Sequence, residues 1–325
     1  MRAAWYDRQG AARDVLVVGE LPDPEPGPGE VRVRVRLSGV NPGDTKKRGG
    51  WLGSVMPYPR VIPHSDASGI VDAVGAGVDQ SRVGRRVWVH GAQSYRAFGT
   101  AAQFTVVPSE LAVDRPDTIS DELGACLGIP GITAHRAVFA DGPVGGATVL
   151  VHGVLGGVGS LAAQLADWAG ATVIGTVRHG EDLDRVGSAV THAVALDQDD
   201  PADAVRSYAP EGVDRIIEVS FSDNIDLDAA VAKVGTVITA YASRRDRPDF
   251  AFWPMLFDNV TIHLLGSDDF PAGAKQQAVN DITAAARDGA VQISTALPLP
   301  IERVAEAHER VEAGSRERVL VELPD

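Results

Sequence analysis

The chain has 325 residues, with 30 basic and 44 acidic side chains, a net charge of −14 and a pI near 5.0. That length suits two domains at roughly 150 residues each, and 44% hydrophobic with 23% charged residues is an ordinary globular composition. The acidity excludes nucleic acid and anionic membrane as partners, because both reward clustered Lys and Arg; no basic run exceeds Lys46-Lys47-Arg48.

The chain opens Met1-Arg2-Ala3-Ala4-Trp5-Tyr6-Asp7-Arg8, with charges where a signal peptide needs an apolar run, so a cytoplasmic protein is expected. Residues 21–29 carry Pro22, Pro24, Pro26 and Pro28 and read as an extended connector. Residues 31–37 (VRVRVRL) alternate apolar and basic, which predicts a strand with one packed face and one solvated face. Short β-like runs at 69–74, 86–90 and 103–107 follow, separated by Gly, Pro and Asp turns. The first 110 or so residues are therefore β-rich. A single cysteine, Cys126, excludes an internal disulfide and any multi-cysteine metal site, and it reads as a small buried residue.

The rhythm changes near residue 120. Strands are predicted at 148–151, 172–177, 193–196, 214–219, 236–240 and 261–265, alternating with helical patterns. Between the first two strands Val158, Leu161, Ala162, Leu165, Trp168 and Ala169 recur at helical spacing, and Gly170 closes the helix. Such alternation implies a parallel sheet with helices on both faces. Residues 147–166 lack formal charge and match a membrane span in length, yet His152, Gly153 and Gly156-Gly157 break them into strand, turn and helix, so no membrane partner is expected. Helices at 274–287 and 301–312 and a strand at 318–323 complete the chain. Periodicity leaves open whether they extend the parallel sheet or return to the N-terminal domain.

After strand 148–151 the chain reads His152-Gly153-Val154-Leu155-Gly156-Gly157-Val158-Gly159-Ser160. Glycines let the backbone approach a ligand closely, and the following helix start offers free N–H groups and partial positive charge to a pyrophosphate. The usual G-x-G-x-x-G spacing is altered, with Val154 at the first glycine position. The strand before, the helix after and the second strand at the right distance favour dinucleotide binding over a purely structural turn. The second strand ends Thr176-Val177-Arg178-His179-Gly180, without the carboxylate that usually holds NAD ribose hydroxyls. Arg178 offers a planar fork to a 2′-phosphate, which points to NADP(H). Glu181 and Asp182, if folded back, would favour NAD instead.

Other chemistries are missing. There is no G-x-x-x-x-G-K-[ST], no G-x-S-x-G and no H-E-x-x-H. No tyrosine is followed four residues later by lysine, the proton-donor pair of short-chain reductases. His64 and Asp66 read as a hydrogen-bonded structural pair rather than metal ligands.

Five segments carry a resemblance: residues 38–44 (SGVNPGD), 62–71 (IPHSDASGIV), 99–104 (GTAAQF), 129–134 (IPGITA) and the loop at 153–159. In order and spacing the chain resembles the zinc-free quinone oxidoreductases, the zeta-crystallin-like group of the medium-chain dehydrogenase/reductase superfamily. The resemblance runs along nearly its whole length. It implies an α/β protein: a β-rich GroES-like N-terminal domain at 1–122, a Rossmann-type doubly wound parallel sheet at 123–266, and a segment at 267–325 returning to the first domain. The active site is then the cleft between the domains, and a homodimer is expected.

Zinc alcohol dehydrogenases of the superfamily have ligand Cys and His where this chain has Asn41 and Ser65, and their hydroxyl relay falls at Gly43. The resemblance thus implies no metal. Without a Lewis acid, alcohol oxidation loses its usual driving device, whereas reduction of a quinone or activated enone does not need one. Hydride transfer from NADPH to such an acceptor is the expected activity. The alternatives are an enoyl-thioester reductase and a non-catalytic NADPH-binding protein.

By resemblance Asn41 and Asp44 lie at the cleft, the latter equally readable as a helix cap, and Thr133 lies near the nicotinamide. Gly153, Gly156, Gly157, Val158 and Gly159 form the phosphate turn, with Thr176, Arg178 and His179 at the second strand. Ser220, Tyr241 and Ser243 follow strand ends where cofactor contacts concentrate. Trp51, Trp253 and Phe257 are candidates for the substrate pocket; the last two equally suit a dimer contact or core packing. Trp51 stands where enoyl-thioester reductases carry a tyrosine proton donor, Asp197 where quinone reductases often have tyrosine, and Glu317-Arg318 where they have Gly-Lys.

Overall fold

A computed structural model describes residues 1–324. The chain divides into two compact units, Met1–Pro130 with the chain from Ile293 onward, and Gly131–Gln292.

The first unit is built on strand Glu30–Gly39. Its alternation does what period two requires: Val31, Val33, Val35 and Leu37 are buried while Arg34 and Arg36 face solvent. Each such buried aliphatic side chain contributes about 1.5–3 kcal/mol relative to exposure. The strand pairs antiparallel with Asp66–Val74, Phe104–Pro108 and Leu320–Glu322. Arg86–Val89, Ala112–Asp114 and Leu299–Pro300 complete a seven-stranded sheet. A separate antiparallel pair, Arg2–Trp5 and Val17–Glu20, lies outside it. Residues 21–29 form no helix or strand.

In the second unit six parallel strands lie in the order His192–Ala195, Thr172–Val177, Thr148–Val151, Val213–Glu218, Ala232–Ala240 and Thr261–Leu264. Numbered along the unit this is 3-2-1-4-5-6, the Rossmann order, whose direction reverses between Thr148–Val151 and Val213–Glu218. Helix Gly157–Trp168 buries Leu161, Ala162 and Leu165 as its spacing predicts, whereas Trp168 at its end is 39% exposed.

The boundaries expected at 122/123 and 266/267 differ from these units. Ala125 and Cys126 pack with Leu37 and Leu320, which keeps the chain to Pro130 in the first unit. Residues 267–325 do not act as one segment. Helix Ala272–Arg287 packs against Gly157–Trp168 in the second unit, while Leu320–Glu322 returns to the first sheet through the register Leu320↔Gly39 and Glu322↔Leu37. Among the described residues no helix is long and apolar enough to cross a membrane.

Candidate functional site

The glycine turn sits at the carboxyl end of strand Thr148–Val151, beside the reversal point of the sheet. Gly153 has φ +68°, a left-handed conformation that strains any residue with a Cβ. Its carbonyl accepts from Gly156 N–H at 2.9 Å. Gly156 is the N-cap of helix Gly157–Trp168, whose first capped bond runs from Ser160 N–H to Gly156 O at 2.8 Å. The N–H groups of Gly157, Val158 and Gly159 precede that bond and have no helical partner. A Cβ on Gly159 would lie 2.3 Å from Gly153 O, so only glycine lets the helix start this close to the turn. Three free donors, the positive end of a twelve-residue helix and a close-approach turn fit a pyrophosphate.

Around the turn, Thr176 is fully buried, with its hydroxyl 3.0 Å from His152 Nδ1 and accepting from Gly153 N–H at 3.3 Å. Its side chain is therefore committed inward. Arg178 is exposed and has no side-chain partner among the described residues. His179 is exposed, with Nδ1 3.2 Å from Asp197 Oδ2, and Asp197 also accepts from Gly180 N–H at 3.0 Å. Asp182 is buried near Arg185 at 3.4 Å, and Glu181 is exposed.

Ser220 donates through Oγ to Asp223 Oδ2 at 2.7 Å, and Ser243 Oγ donates to Arg245 O at 2.7 Å. Tyr241 N–H donates to Glu218 O at 3.1 Å. The Tyr241 hydroxyl is buried without a hydrogen-bond partner among the described residues; burial, then Glu218, raises its pKa. Thr133 is buried on helix Ile129–Phe139.

Beneath the turn lies a trio that the sequence reading missed. His152 Nε2 is 2.9 Å from Asp228 Oδ1 and 3.6 Å from Glu218 Oε2, and all three side chains are fully buried. Burial drives the Glu218 carboxyl up to about 7. Burial opposes charge on His152, but Glu218 and Asp228 together outweigh it and raise the imidazole pKa. Potential ligand atoms of the trio lie within 4.8 Å of one another, the one such group among the described residues. His152 is adjacent to the turn in sequence, but nothing local marks Asp228, which lies on helix Phe221–Val231.

In the first unit Asn41 and Asp44 form a capping box at helix Pro42–Gly49. Asn41 is the N-cap itself, and Asp44, expected as a possible cap, serves it from the third helical position, its Oδ2 accepting from Asn41 N–H at 2.8 Å. Asn41 Nδ2 donates to Asp66 Oδ2 at 2.7 Å, and Arg318 Nη2 donates to Asn41 Oδ1 at 2.9 Å. Asp66 Oδ1 accepts from Ile129 N–H at 2.8 Å. Burial pushes the Asp44 carboxyl up to about 7, against the Asn41 N–H and with the help of Asp66. Nothing in the sequence marks Arg318 or Asp66 as a partner of Asn41, because only the strand pairings Leu320↔Gly39 and Gly39↔Asp66 bring residues 318 and 66 beside it.

The expected pair of His64 with Asp66 does not form, because Asp66 turns to Asn41 while His64 bonds Ser38 and His308. Trp51 is 51% exposed, with Lys46 Nζ 4.5 Å from its ring centroid. Trp253 and Phe257 are not core residues. They are 64% and 71% exposed on helix Phe252–Phe257, whose only buried side chain is Met255.

The N-terminal fold, the parallel sheet and its glycine turn define a medium-chain reductase. Residues 27–117 match the alcohol dehydrogenase GroES-like domain family, and residues 157–278 match the zinc-binding dehydrogenase family. Quinone oxidoreductases from Homo sapiens and Pongo abelii are each 30% identical over 287 residues, covering 85% of this chain and 83% of theirs. A mycobacterial quinone oxidoreductase structure is 25% identical, with a TM-score of 0.86 over 99% of both chains. The structure of Escherichia coli quinone oxidoreductase complexed with NADPH has a TM-score of 0.85 at 20% identity, over 99% of this chain and 100% of that one. The chain belongs to the quinone oxidoreductase family of the medium-chain dehydrogenase/reductase superfamily and is an oxidoreductase enzyme.

Proposed function

We propose that this enzyme is a zinc-independent reductase that uses NADPH to reduce a quinone or an activated enone. The observation that carries the reading is the turn at 152–160, which presents three unpartnered N–H groups at the head of a helix beside the reversal point of a Rossmann sheet. The cofactor is NADP(H), as in the E. coli relative; when bound, its reduced nicotinamide supplies a hydride.

The turn holds the pyrophosphate through Gly157, Val158 and Gly159 N–H. Arg178 is free to pair with a 2′-phosphate, and His179 flanks it. Thr133, Ser220, Tyr241 and Ser243 complete the nucleotide contacts of the second unit in this reading. In the first unit the second Nδ2 proton of Asn41 donates to the acceptor oxygen where negative charge develops, while Asp66 and Arg318 hold the amide. Asp44 positions Asn41 through its backbone. Both amide atoms of Asn41 are engaged with Asp66 and Arg318 at the position where zinc alcohol dehydrogenases of the superfamily have a ligand cysteine, which supports chemistry without metal.

A proton-donating enoyl-thioester reductase is less well supported, because Trp51 has no acidic proton to give a carbanion. A homodimer is part of the proposal: Phe252, Trp253, Phe257 and Leu264 are 52%, 64%, 71% and 77% exposed along edge strand Thr261–Leu264 and the helix before it. Sedimentation at micromolar concentration tests it, and a monomer would remove that surface from the account. The cytoplasm is the compartment this reading expects.

The decisive experiment follows NADPH and NADH oxidation with a panel of quinones, enones and enoyl thioesters, with and without a chelator. NADPH consumption with a quinone or enone, unchanged by chelation, is expected. Loss of activity on chelation overturns zinc independence, and tight NADPH binding without turnover favours a non-catalytic role.

A further inference from the structure

The buried trio under the glycine turn is used by neither the phosphate contacts nor the hydride step. His152 follows strand Thr148–Val151, Thr176 lies in Thr172–Val177, Glu218 ends Val213–Glu218, and Asp228 comes from helix Phe221–Val231. All four side chains are fully buried. Three distances join them to the turn: Gly153 N to Thr176 Oγ1 at 3.3 Å, Thr176 Oγ1 to His152 Nδ1 at 3.0 Å, and His152 Nε2 to Asp228 Oδ1 at 2.9 Å.

The donor inventory gives this chain one direction. Gly153 N–H can only donate, so Thr176 Oγ accepts from it. Asp228 accepts, so His152 carries a proton on Nε2; with the imidazole neutral, Nδ1 is left as an acceptor. The Thr176 hydroxyl then donates to Nδ1, and every proton in the series has a partner. A second proton on Nδ1 would strand the Thr176 hydroxyl, which has no other acceptor among the described residues. Glu218 Oε1 takes the N–H of Ser220 and, at 3.1 Å, Nδ2 of Asn224, leaving Oε2 facing His152.

We infer that Asp228, His152 and Thr176 form a buried positioning relay that holds the Gly153 peptide plane and thereby sets the affinity of the glycine turn for the dinucleotide. The inference rests on the nucleotide reading of that turn. Its physical basis is that Gly153 is held from both sides. Its N–H is tied to the relay, and its carbonyl takes Gly156 N–H and abuts Gly159. Polarisation along a buried series strengthens the Thr176 oxygen as an acceptor. Release of the Gly153 N–H lets the turn relax and moves the helix start that must meet the phosphates. These are positioning residues, because none needs to touch the cofactor.

The test measures NADPH binding to the full-length protein directly, by nucleotide fluorescence without any electron acceptor. Thr176→Val keeps the shape and removes the hydroxyl; Asp228→Asn keeps the shape and removes the charge. Each is expected to weaken NADPH about fivefold to tenfold, the size of one lost hydrogen bond. Thr176→Ser is expected to restore affinity to within about twofold, which a merely volumetric role for Thr176 would not do. The double variant is expected to bind no worse than the weaker single, because both changes break one series.

Unchanged NADPH affinity in both folded single variants overturns the relay, and so do losses that simply add. Stoichiometric divalent metal in the native protein that disappears in Asp228→Asn would also overturn it, making the trio a metal site. Should Thr176→Val fail to fold, Thr176→Ser, Asp228→Asn and the Gly153 amide of the native apoprotein carry the test. Slow hydrogen exchange of that amide is expected, and rapid exchange overturns the inference. If the native protein itself does not bind NADPH, the functional reading fails, while the Gly153 amide still decides the relay.

Discussion

His308 Nε2 lies 3.0 Å from His64 Nε2, 244 positions away in sequence, with the two rings stacked at 28° and 5.1 Å between centroids. Arg48 determines which ring donates. Its Nε–H, 3.3 Å away, can only donate to His308 Nδ1, so His308 carries its proton on Nε2 and gives it to His64. His64 then donates from Nδ1 to Ser38 Oγ at 2.9 Å, Ser38 donates to Thr100 Oγ1 at 2.7 Å, and Thr100 to Asp66 O at 2.8 Å. A proton added to either ring would put two N–H groups face to face or oppose the Arg48 guanidinium.

Burial accordingly holds His64 down to about 3 and His308 well below its usual value, the latter aided by His64 and Arg48. The unfolded rings titrate near 6.5, so below that pH the unfolded chain binds more protons than the folded one. Their contribution is complete above pH 6.5 and is lost as pH falls below it, for His64 toward about 3, at roughly 1.4 kcal/mol per pH unit for each ring still deprotonated in the fold. His308→Gln keeps a donor for His64 and an acceptor for Arg48 without titrating. Its denaturant midpoint is expected to fall less steeply than the native one between pH 6.5 and 4.5; parallel slopes would contradict the neutral pair.

Asp44 has the opposite sign. Its folded carboxyl, pushed up to about 7, holds a proton that the unfolded carboxyl releases near 3.8. The stability it contributes is present below 3.8 and is lost as pH rises through about 7. Asp44→Asn retains an acceptor for Asn41 N–H without a buried charge. It is expected to gain stability relative to the native protein as pH rises from 5 to 8, by roughly 1.4 kcal/mol per unit at most. Urea unfolding at three pH values checks this, and a constant difference would refute it.

At the turn, two glycine substitutions separate binding from folding. Gly156 has φ −84°, which any residue adopts, and an added Cβ would meet Gly153 O at 3.2 Å. Gly156→Val is therefore expected to fold and to lose NADPH affinity by more than about tenfold, as its branches block the approach to the helix start. Gly159→Ala places its Cβ 2.3 Å from Gly153 O and is expected to lower the melting temperature as well. Calorimetry with NADPH and a thermal melt measure the two effects.

Arg178→Ala is expected to raise KM for NADPH by the loss of a charge-assisted contact, about 1.5–3 kcal/mol. KM for NADH should hardly change. Comparison of the two cofactors in steady-state kinetics checks it, and equal effects would remove Arg178 from the 2′-phosphate.

Much of the frame is legible locally. The VRVRVRL run declares a half-buried strand because side chains alternate at period two. The turn at 152–160 declares its strand–turn–helix context through glycines whose missing Cβ atoms the geometry requires. The strand at Arg2–Trp5 has no such period and is not legible locally, and helix Pro42–Gly49 is signalled only by a possible cap at Asp44.

The amino-acid sequence by itself determined the β-rich start, the parallel α/β centre and the glycine turn, because each rests on spacing within a few residues. Only the tertiary structure decided that the chain from Ile293 rejoins the first sheet, that Arg318 clamps Asn41, and that Asp228 reaches His152 from 76 residues away. Those pairings depend on strand register and helix docking across long stretches of chain, and no local pattern of side chains encodes the distance between them.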